Sequence, residues 1–245
     1  ILYLSLKGNK MEFVSKKHLK YYLKNLKFLG EGSQGICFID RNKVIKIFHS
    51  FFDGEDCGFN KEKILGFSHI KNNTYIWPDE VITINNQIIG YTQEYKKAKN
   101  LCKFDPLTIN LNSLEKAILV AEKDILKISK ANVCIYDMIY NVLYNNHKLF
   151  VIDTLEYANR EVDYLKNRMN LDIEIKMFLV DNYFDYFVNS NKDLKEMYNE
   201  NEVESIEFMK AFRTKLSEYY GKEIKKLDEA KSLVRKKKVP SYIRF

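Results

Sequence analysis

Gly30-Glu31-Gly32-Ser33-Gln34-Gly35 runs into Ile36-Cys37-Phe38-Ile39, and eleven residues past the last glycine Lys46 stands inside Val44-Ile45-Lys46-Ile47-Phe48. Glycines at such spacing let backbone N–H groups approach phosphate oxygens with no Cβ in the way. A dinucleotide fingerprint would follow a parallel strand, open a helix and carry an acid about 20 residues on. Here a β-rich run follows the glycines instead, so that reading fails on context. The two apolar runs flank Asp40-Arg41-Asn42-Lys43, which predicts a hairpin. A lysine in the middle of an apolar strand is costly unless its amine meets an anion. Strand alternation also allows Lys46 to face solvent while Ile45 and Ile47 pack. Glu62, on a segment from Phe59 to Ile70 with Ile64, Phe67 and Ile70 at helical spacing, is the candidate partner. The plainer reading of Glu62 is a surface glutamate between Lys61 and Lys63.

Working outward, Val81 to Ile84 and Gln87 to Tyr95 form a second hairpin around Asn85-Asn86, a dipeptide that tolerates positive φ. The second half turns helical. Asn112 is the expected N-cap, with Glu115 three residues on. Leu114, Ile118, Ala121, Ile125 and Ile128 then step as one buried stripe. A further hairpin pairs Val142–Tyr144 with Leu149–Ile152. From Glu161 the pattern is helical again, with Ile206, Met209, Leu216 and Tyr219 as an inward face. The expected class is α+β. A small antiparallel sheet with one helix occupies residues 1–95, a mainly helical part occupies 96–245, and the Lys-containing stretch Tyr95–Asn100 divides them.

A third polar element lies at Tyr136-Asp137-Met138-Ile139-Tyr140-Asn141, where an Asp and an Asn sit among apolar residues and need partners or a function. Asp153 follows at the end of Val151-Ile152. Asn141 and Asp153 together suit Mg²⁺, which takes hard oxygen ligands and keeps several waters; each alone is equally a turn cap.

Composition narrows the class. With 245 residues, 46% hydrophobic, 30% charged, and only 9 Gly and 3 Pro, the chain is neither disordered nor fibrous. No run approaches the ~18 apolar residues of a membrane span. Met11 reads as a candidate start, leaving residues 1–10 as an extension or fragment edge. Cys37, Cys57, Cys102 and Cys134 form no C-x-x-C pair, so free thiols in a reducing, cytoplasmic compartment are expected. The net charge of +7 comes from 40 Lys+Arg against 33 Asp+Glu. Lys16, Lys17, Lys20, Lys24 and Lys27 cluster early and Arg235 to Lys238 late. A solvated helix face and a charged tail account for them better than a nucleic-acid partner does.

Glycine loop, strand lysine, helix glutamate, D-x-x-x-N after a long helix, then hairpin and I-D: in this order the chain resembles the protein-kinase superfamily over roughly residues 25–160. G-E-G-S-Q-G-I-C-F is similar to its nucleotide loop and V-I-K-I-F to its lysine strand. Gly90 to Tyr95 resembles the strand that enters the hinge, I-Y-D-M-I-Y-N-V-L the catalytic loop, and F-V-I-D-T the metal-binding aspartate motif. The resemblance implies a bilobal fold binding ATP and Mg²⁺. Gly30, Glu31, Gly32, Ser33, Gln34 and Gly35 would cover the phosphates, Lys46 held by Glu62 would contact them, and Glu94 and Tyr95 would hold adenine. Asn141 and Asp153 would hold the metal, and Asp137 would orient the acceptor hydroxyl and take its proton. The departures are the missing His-Arg before Asp137, a D-to-N spacing one residue short, Asp153-Thr154-Leu155 in place of the usual triplet, and no A-P-E. They look like short bacterial or phage kinases. With Ser33 between the second and third glycines, the loop resembles the protein Ser/Thr branch, which implies a protein hydroxyl as acceptor; a small-molecule (aminoglycoside- or choline-type) kinase and a pseudokinase binding module are the alternatives.

Overall fold

Left-handed backbone at a few polar residues closes the hairpins that the sequence predicts. Arg41 (φ 56), Asn85 (φ 48), Asn86 (φ 66) and Asn146 (φ 73) all adopt it, a conformation open to short polar residues but costly for most others. The computed structural model describes residues 10–136, 138 and 140–234. The chain divides into two compact units, Ile1–Lys71 with Tyr75–Lys97, and Asn72–Thr74 with Ala98–Phe245. The architecture is α+β.

The first unit contains β1 (Lys10–Phe13), α1 (Lys16–Lys24), β2 (Lys27–Glu31), β3 (Gly35–Asp40), β4 (Lys43–Phe48), α2 (His49–Asp53), α3 (Lys61–Leu65), β5 (Pro78–Ile84) and β6 (Gln87–Glu94). Its six strands pair in the order β1-β5-β6-β4-β3-β2. The sheet is mixed rather than purely antiparallel, because β1 adds in parallel beside β5, with Met11 opposite Ile82. One face carries the core: Met11, Phe13, Ile45, Ile47, Ile82 and Ile84 pack with Leu19 and Leu23 of α1. Ser15 caps α1 by accepting from the His18 N–H, and Lys16, Lys17, Lys20 and Lys24 stay exposed on its outer side.

The helix expected over Phe59–Ile70 shortens to α3. Gly66 ends it, and the Ser68 hydroxyl and N–H both donate to the Leu65 carbonyl, offering the backbone a turn in place of a further helical bond.

Two glycines set how closely the sheet can draw together. A Cβ on Gly35 would meet the Ile47 carbonyl oxygen at 2.2 Å, and one on Gly90 the Lys46 oxygen at 2.0 Å. β4 is thus clasped on both sides at positions where only glycine fits. Gly30 and Gly32 have open space around them and ordinary φ.

The second unit holds β7 (Lys99–Asn100), α4 (Leu111–Lys130), β8 (Val133–Cys134), β9 (Val142–Tyr144), β10 (Leu149–Val151), β11 (Ala158–Asn159), α5 (Tyr164–Val180), α6 (Asp185–Ser190), α7 (Lys192–Asn199) and α8 (Ser205–Tyr220). The expected stripe of α4 is buried throughout. Its cap is Asn110, which accepts from Ser113 N, not Asn112, whose side chain instead accepts from Arg213. In α8, Ile206, Met209 and Leu216 point inward with Phe208 and Phe212, whereas Tyr219 is 63% exposed. Tyr219 lies in the last turn, where its ring packs on Tyr220 and Phe187.

α5 is the buried spine. Asn167, Arg168, Asp172, Glu174 and Lys176 are all buried beside Leu171, Ile175 and Leu179. Arg168 bonds Asp172 at 2.9 Å, the Glu202 carbonyl at 3.0 Å and the Glu204 carboxylate. Asp172 also accepts from Ser205 N at 2.8 Å, so one carboxylate both balances the guanidinium and caps α8. Half-buried Glu122 stands beside this cluster with one carboxyl oxygen buried and unpartnered. Among the described residues no helix is long and apolar enough to cross a membrane.

Two predictions follow from these contacts. Gly90→Ala should lower stability by about 1–3 kcal/mol or more through overpacking against backbone, while Gly32→Ala costs far less; urea denaturation of both compares them. The second concerns pH. Burial, then the charges of Glu204 and Asp172, push the Glu122 carboxyl up to about 7 against the opposing pull of Arg168 and Lys210. Between its ordinary value of 4.5 and about 7 the folded chain therefore keeps a proton that the unfolded chain releases. That contribution favours folding less as pH rises through this window. The melting temperature should fall from pH 5 to pH 8, and Glu122→Gln should remove this part of the slope.

Candidate functional site

Lys46 is the central residue of β4, paired across the sheet with Cys37 on β3 and Tyr91 on β6. Ile45 and Ile47 face the core cluster, and strand alternation puts Lys46 on the opposite face. That face is also closed: Lys46 is 7% exposed, so the solvent-facing alternative is set aside. Its amine lies 5.6 Å from the Tyr91 ring centre and donates to Gln34 Oε1 at 3.0 Å. Gln34 belongs to the glycine-rich turn between β2 and β3, so the turn and the lysine are joined directly.

The turn itself is pinned. Gly32 N donates to the Gly35 carbonyl at 3.0 Å, and His49 N to the Gln34 carbonyl at 3.0 Å. The His49 ring bonds the Gly32 carbonyl at 2.9 Å and lies 3.6 Å from the Glu31 carboxylate. Glu31, Gly32 and Ser33 are exposed at its tip. Sequence reading missed His49 because its role depends on the turn folding back over the start of α2.

Glu62 is exposed in the first turn of α3, and among the described residues no ion pair joins it to Lys46. Glu94 is exposed at the end of β6 and pairs with Lys96. Tyr95 N donates to the Asn42 carbonyl at 2.8 Å.

In the second unit, Val142 pairs with Val151 at the open end of the β9–β10 hairpin. The Ile152 N–H donates to the Asn141 carbonyl at 3.0 Å, carrying the ladder one residue further. Asn141 and Asp153 therefore share that end of the hairpin. Asp137 lies outside the described residues, as does the basic run Arg235 to Lys238. Among the described residues no three His, Cys, Asp or Glu side chains gather to hold a metal. An ion here would rest on Asn141, Asp153 and water, a donor set of hard oxygens that fits Mg²⁺.

Two residues bordering this end adopt left-handed backbone without being glycine, Tyr140 (φ 64) and Asp153 (φ 60). Such conformations cost on the order of 1–3 kcal/mol and persist only where the surroundings over-determine them. At Tyr140 the restraints are visible. Its N–H donates to Glu174 Oε2 at 3.3 Å, and its carbonyl accepts from the Asn100 side chain. Burial pushes the Glu174 carboxyl above its ordinary range, against the pull of the Tyr140 N–H. On the other side, Asn167 Oδ1 accepts from Ile135 N at 2.9 Å while its amide donates to Val133 O and Ser129 Oγ, both at 2.8 Å. Asn167 and Glu174 lie seven residues apart, two turns of one helix, and so hold the backbone on either side of Tyr136 to Ile139.

A third brace holds the strand that precedes Asp153. The buried Asp124 carboxylate of α4 accepts from Asn73 N and Thr74 Oγ1, both at 2.8 Å, and the Thr74 carbonyl accepts from Val151 N at 2.8 Å. None of these three positioning residues carries a sequence signature, since each acts on backbone far along the chain.

Asn167→Ala should strand the Ile135 N–H and the Val133 carbonyl in a dry interior, at about 1–3 kcal/mol for each group left unpaired. Urea denaturation measures the loss, and amide exchange at Ile135 should quicken beyond what global destabilisation explains. No family model matches the chain, and no curated protein matches it.

Proposed function

We propose that the chain is an ATP- and Mg²⁺-dependent phosphotransferase with a bilobal, protein-kinase-like fold, moving the γ-phosphoryl group to a hydroxyl acceptor. The observation that carries the reading is the buried Lys46 amine reaching the glycine-rich turn. A cation held inside a sheet, next to a turn with open space at Gly30 and Gly32, is what a triphosphate requires. Asn141 and Asp153 supply the oxygen donors that a phosphate-bound Mg²⁺ takes.

On this reading Gly30 to Gly35 cover the phosphates with backbone N–H groups and Lys46 neutralises charge on them, exchanging its bond to Gln34 for phosphate oxygen. Glu94 and Tyr95 border the base. Bound ATP supplies the phosphoryl group, and Mg²⁺ offsets its negative charge. Asp137 orients the acceptor hydroxyl and accepts its proton as the new P–O bond forms and the bond to the leaving diphosphate breaks. Phosphoryl transfer asks mainly for positioning and charge neutralisation, so this short set of polar residues is sufficient. A protein Ser/Thr and a small-molecule alcohol would use the same positions.

Exposed Glu62 favours one second reading, a pseudokinase that binds nucleotide without turnover, because the usual active arrangement pairs this glutamate with the lysine. The deciding experiment incubates the chain with Mg²⁺ and γ-labelled ATP and follows label on protein and in small molecules. Transfer is expected to depend on Mg²⁺ and to fall by at least about 100-fold in folded Asp137→Ala and Lys46→Ala. ATP that raises the melting temperature through Lys46 without labelling any acceptor would install the pseudokinase reading. ATP that neither binds nor reacts would remove both.

A further inference from the structure

Helix α4 carries two regular patterns. Leu114, Ile118, Ala121, Ile125 and Ile128 are buried. On a separate arc Lys116, Leu119, Lys123, Leu126 and Lys130 are all exposed, with Leu119 at 43% and Leu126 at 41%. These five positions advance by alternating steps of three and four, the heptad spacing of a helix–helix seam, with lysine at each a position and leucine at each d. Exposed Val120 and Lys127 border the seam on one side, and partly buried Glu115 and Glu122 on the other.

The stability of α4 alone does not account for this stripe. Lys127 and Lys130 sit in the last turn, where they complement the helix dipole. Lys116 and Lys123 gain nothing from it, and Lys123 with Lys127 is a like-charged pair four apart, which disfavours the helix. Among the described residues Lys116, Lys123, Lys127 and Lys130 enter no ion pair. Two large aliphatic side chains in register with unpaired ammonium groups are a recognition pattern.

We propose that this face of α4 docks an acidic amphipathic helix of a partner protein. The partner would set carboxylates against Lys116, Lys123 and Lys130 and aliphatic side chains against Leu119 and Leu126. Charge selects this occupant. A second copy of the chain offers only lysine and leucine on this stripe, so it brings no carboxylate from it to meet Lys116, Lys123 and Lys130. Nucleic acid would use the lysines but leave both leucines without a purpose. A bilayer surface calls for an apolar face separate from the basic one, whereas here the two alternate along one line. From Lys116 to Lys130 the seam spans about 21 Å, or two heptads, which suits a regulated, reversible contact.

The test titrates the full chain against a labelled, helical 21-residue peptide with Glu at a and Leu at d, followed by fluorescence anisotropy. The same peptide with Lys at a, phosphatidylserine vesicles and inorganic polyphosphate are run beside it. The acidic peptide is expected to bind and the basic one not to. Leu119→Ser with Leu126→Ser, and separately Lys123→Glu, should each weaken binding at least about tenfold with no loss of melting temperature. A peptide with Lys facing position 123 should restore binding to Lys123→Glu. Leu119→Ala with Leu126→Ala serves if the serine variant melts early. Three results would overturn the proposal: no binding of the acidic peptide, loss on lysine substitution but not on leucine substitution, or binding to vesicles or polyphosphate alone.

Discussion

Helix α5 is buried over most of its length and still carries five polar or charged side chains into the interior, and every one of them needs a partner. That constraint organises the second unit. Arg168 cannot be buried without Asp172, and Asp172 in turn caps α8 through Ser205. Lys176 donates to the Met197 and Glu200 carbonyls, where α7 ends, while burial lowers its amine below the ordinary range. Asn167 and Glu174 spend their polar atoms on backbone beside the segment that holds Asp137. Apart from the Arg168–Asp172 pair, the partners come from other parts of the chain, so removing one member leaves buried charge or an unmet hydrogen bond somewhere else. Broken buried pairs of this kind are among the more damaging single changes known.

The first unit solves a different problem, how to hold a lysine inside a sheet. β4 has buried residues on both faces, and the strands on either side press against it at Gly35 and Gly90. The glycine pattern that suggested a phosphate cradle thus contains two kinds of glycine. Gly35 is required by the approach of the β4 backbone, whereas Gly30 and Gly32 leave room beside the turn. Only the latter pair is free to serve a ligand, and the Gln34 and His49 contacts decide where that turn is held.

Much of the fold was legible because it rests on short-range signals. Asn85-Asn86 and the residues around Arg41 forced turns, and the α4 stripe repeats over about four turns. What escaped rests on distant or mutual contacts. β1 is four residues long and pairs with a strand just over seventy residues away, so nothing near Met11 announces it. α5 falls within the helical stretch expected from Glu161, but it mixes polar and apolar residues around its circumference, so which of its side chains turn inward was not legible. The α4 cap was placed at Asn112 because Glu115 completes a capping box there, and Asn110 won with a simpler bond to Ser113. For the candidate site, sequence order selected residue types but not partners. Lys46 was legible, its bond to Gln34 was not, and neither were the α5 side chains behind the hairpin end.

Those α5 side chains bear on the departures from the kinase pattern. The chain has no A-P-E segment and no His-Arg before Asp137, two features that usually brace a catalytic loop and its surroundings. On the proposed reading these contacts would take their place: Asn167 and Glu174 hold the backbone at Ile135 and Tyr140, and Asp124 reaches the strand before Asp153 through Thr74. Tyr140 and Asp153 hold left-handed backbone at a cost that an unconstrained loop would relax. Strain kept in place by buried hydrogen bonds is what a preorganised site needs, since the geometry is then set by folding and not by the ligand. On the proposed reading, backbone held at Ile135 and Tyr140 would do part of the work that an activation segment otherwise does.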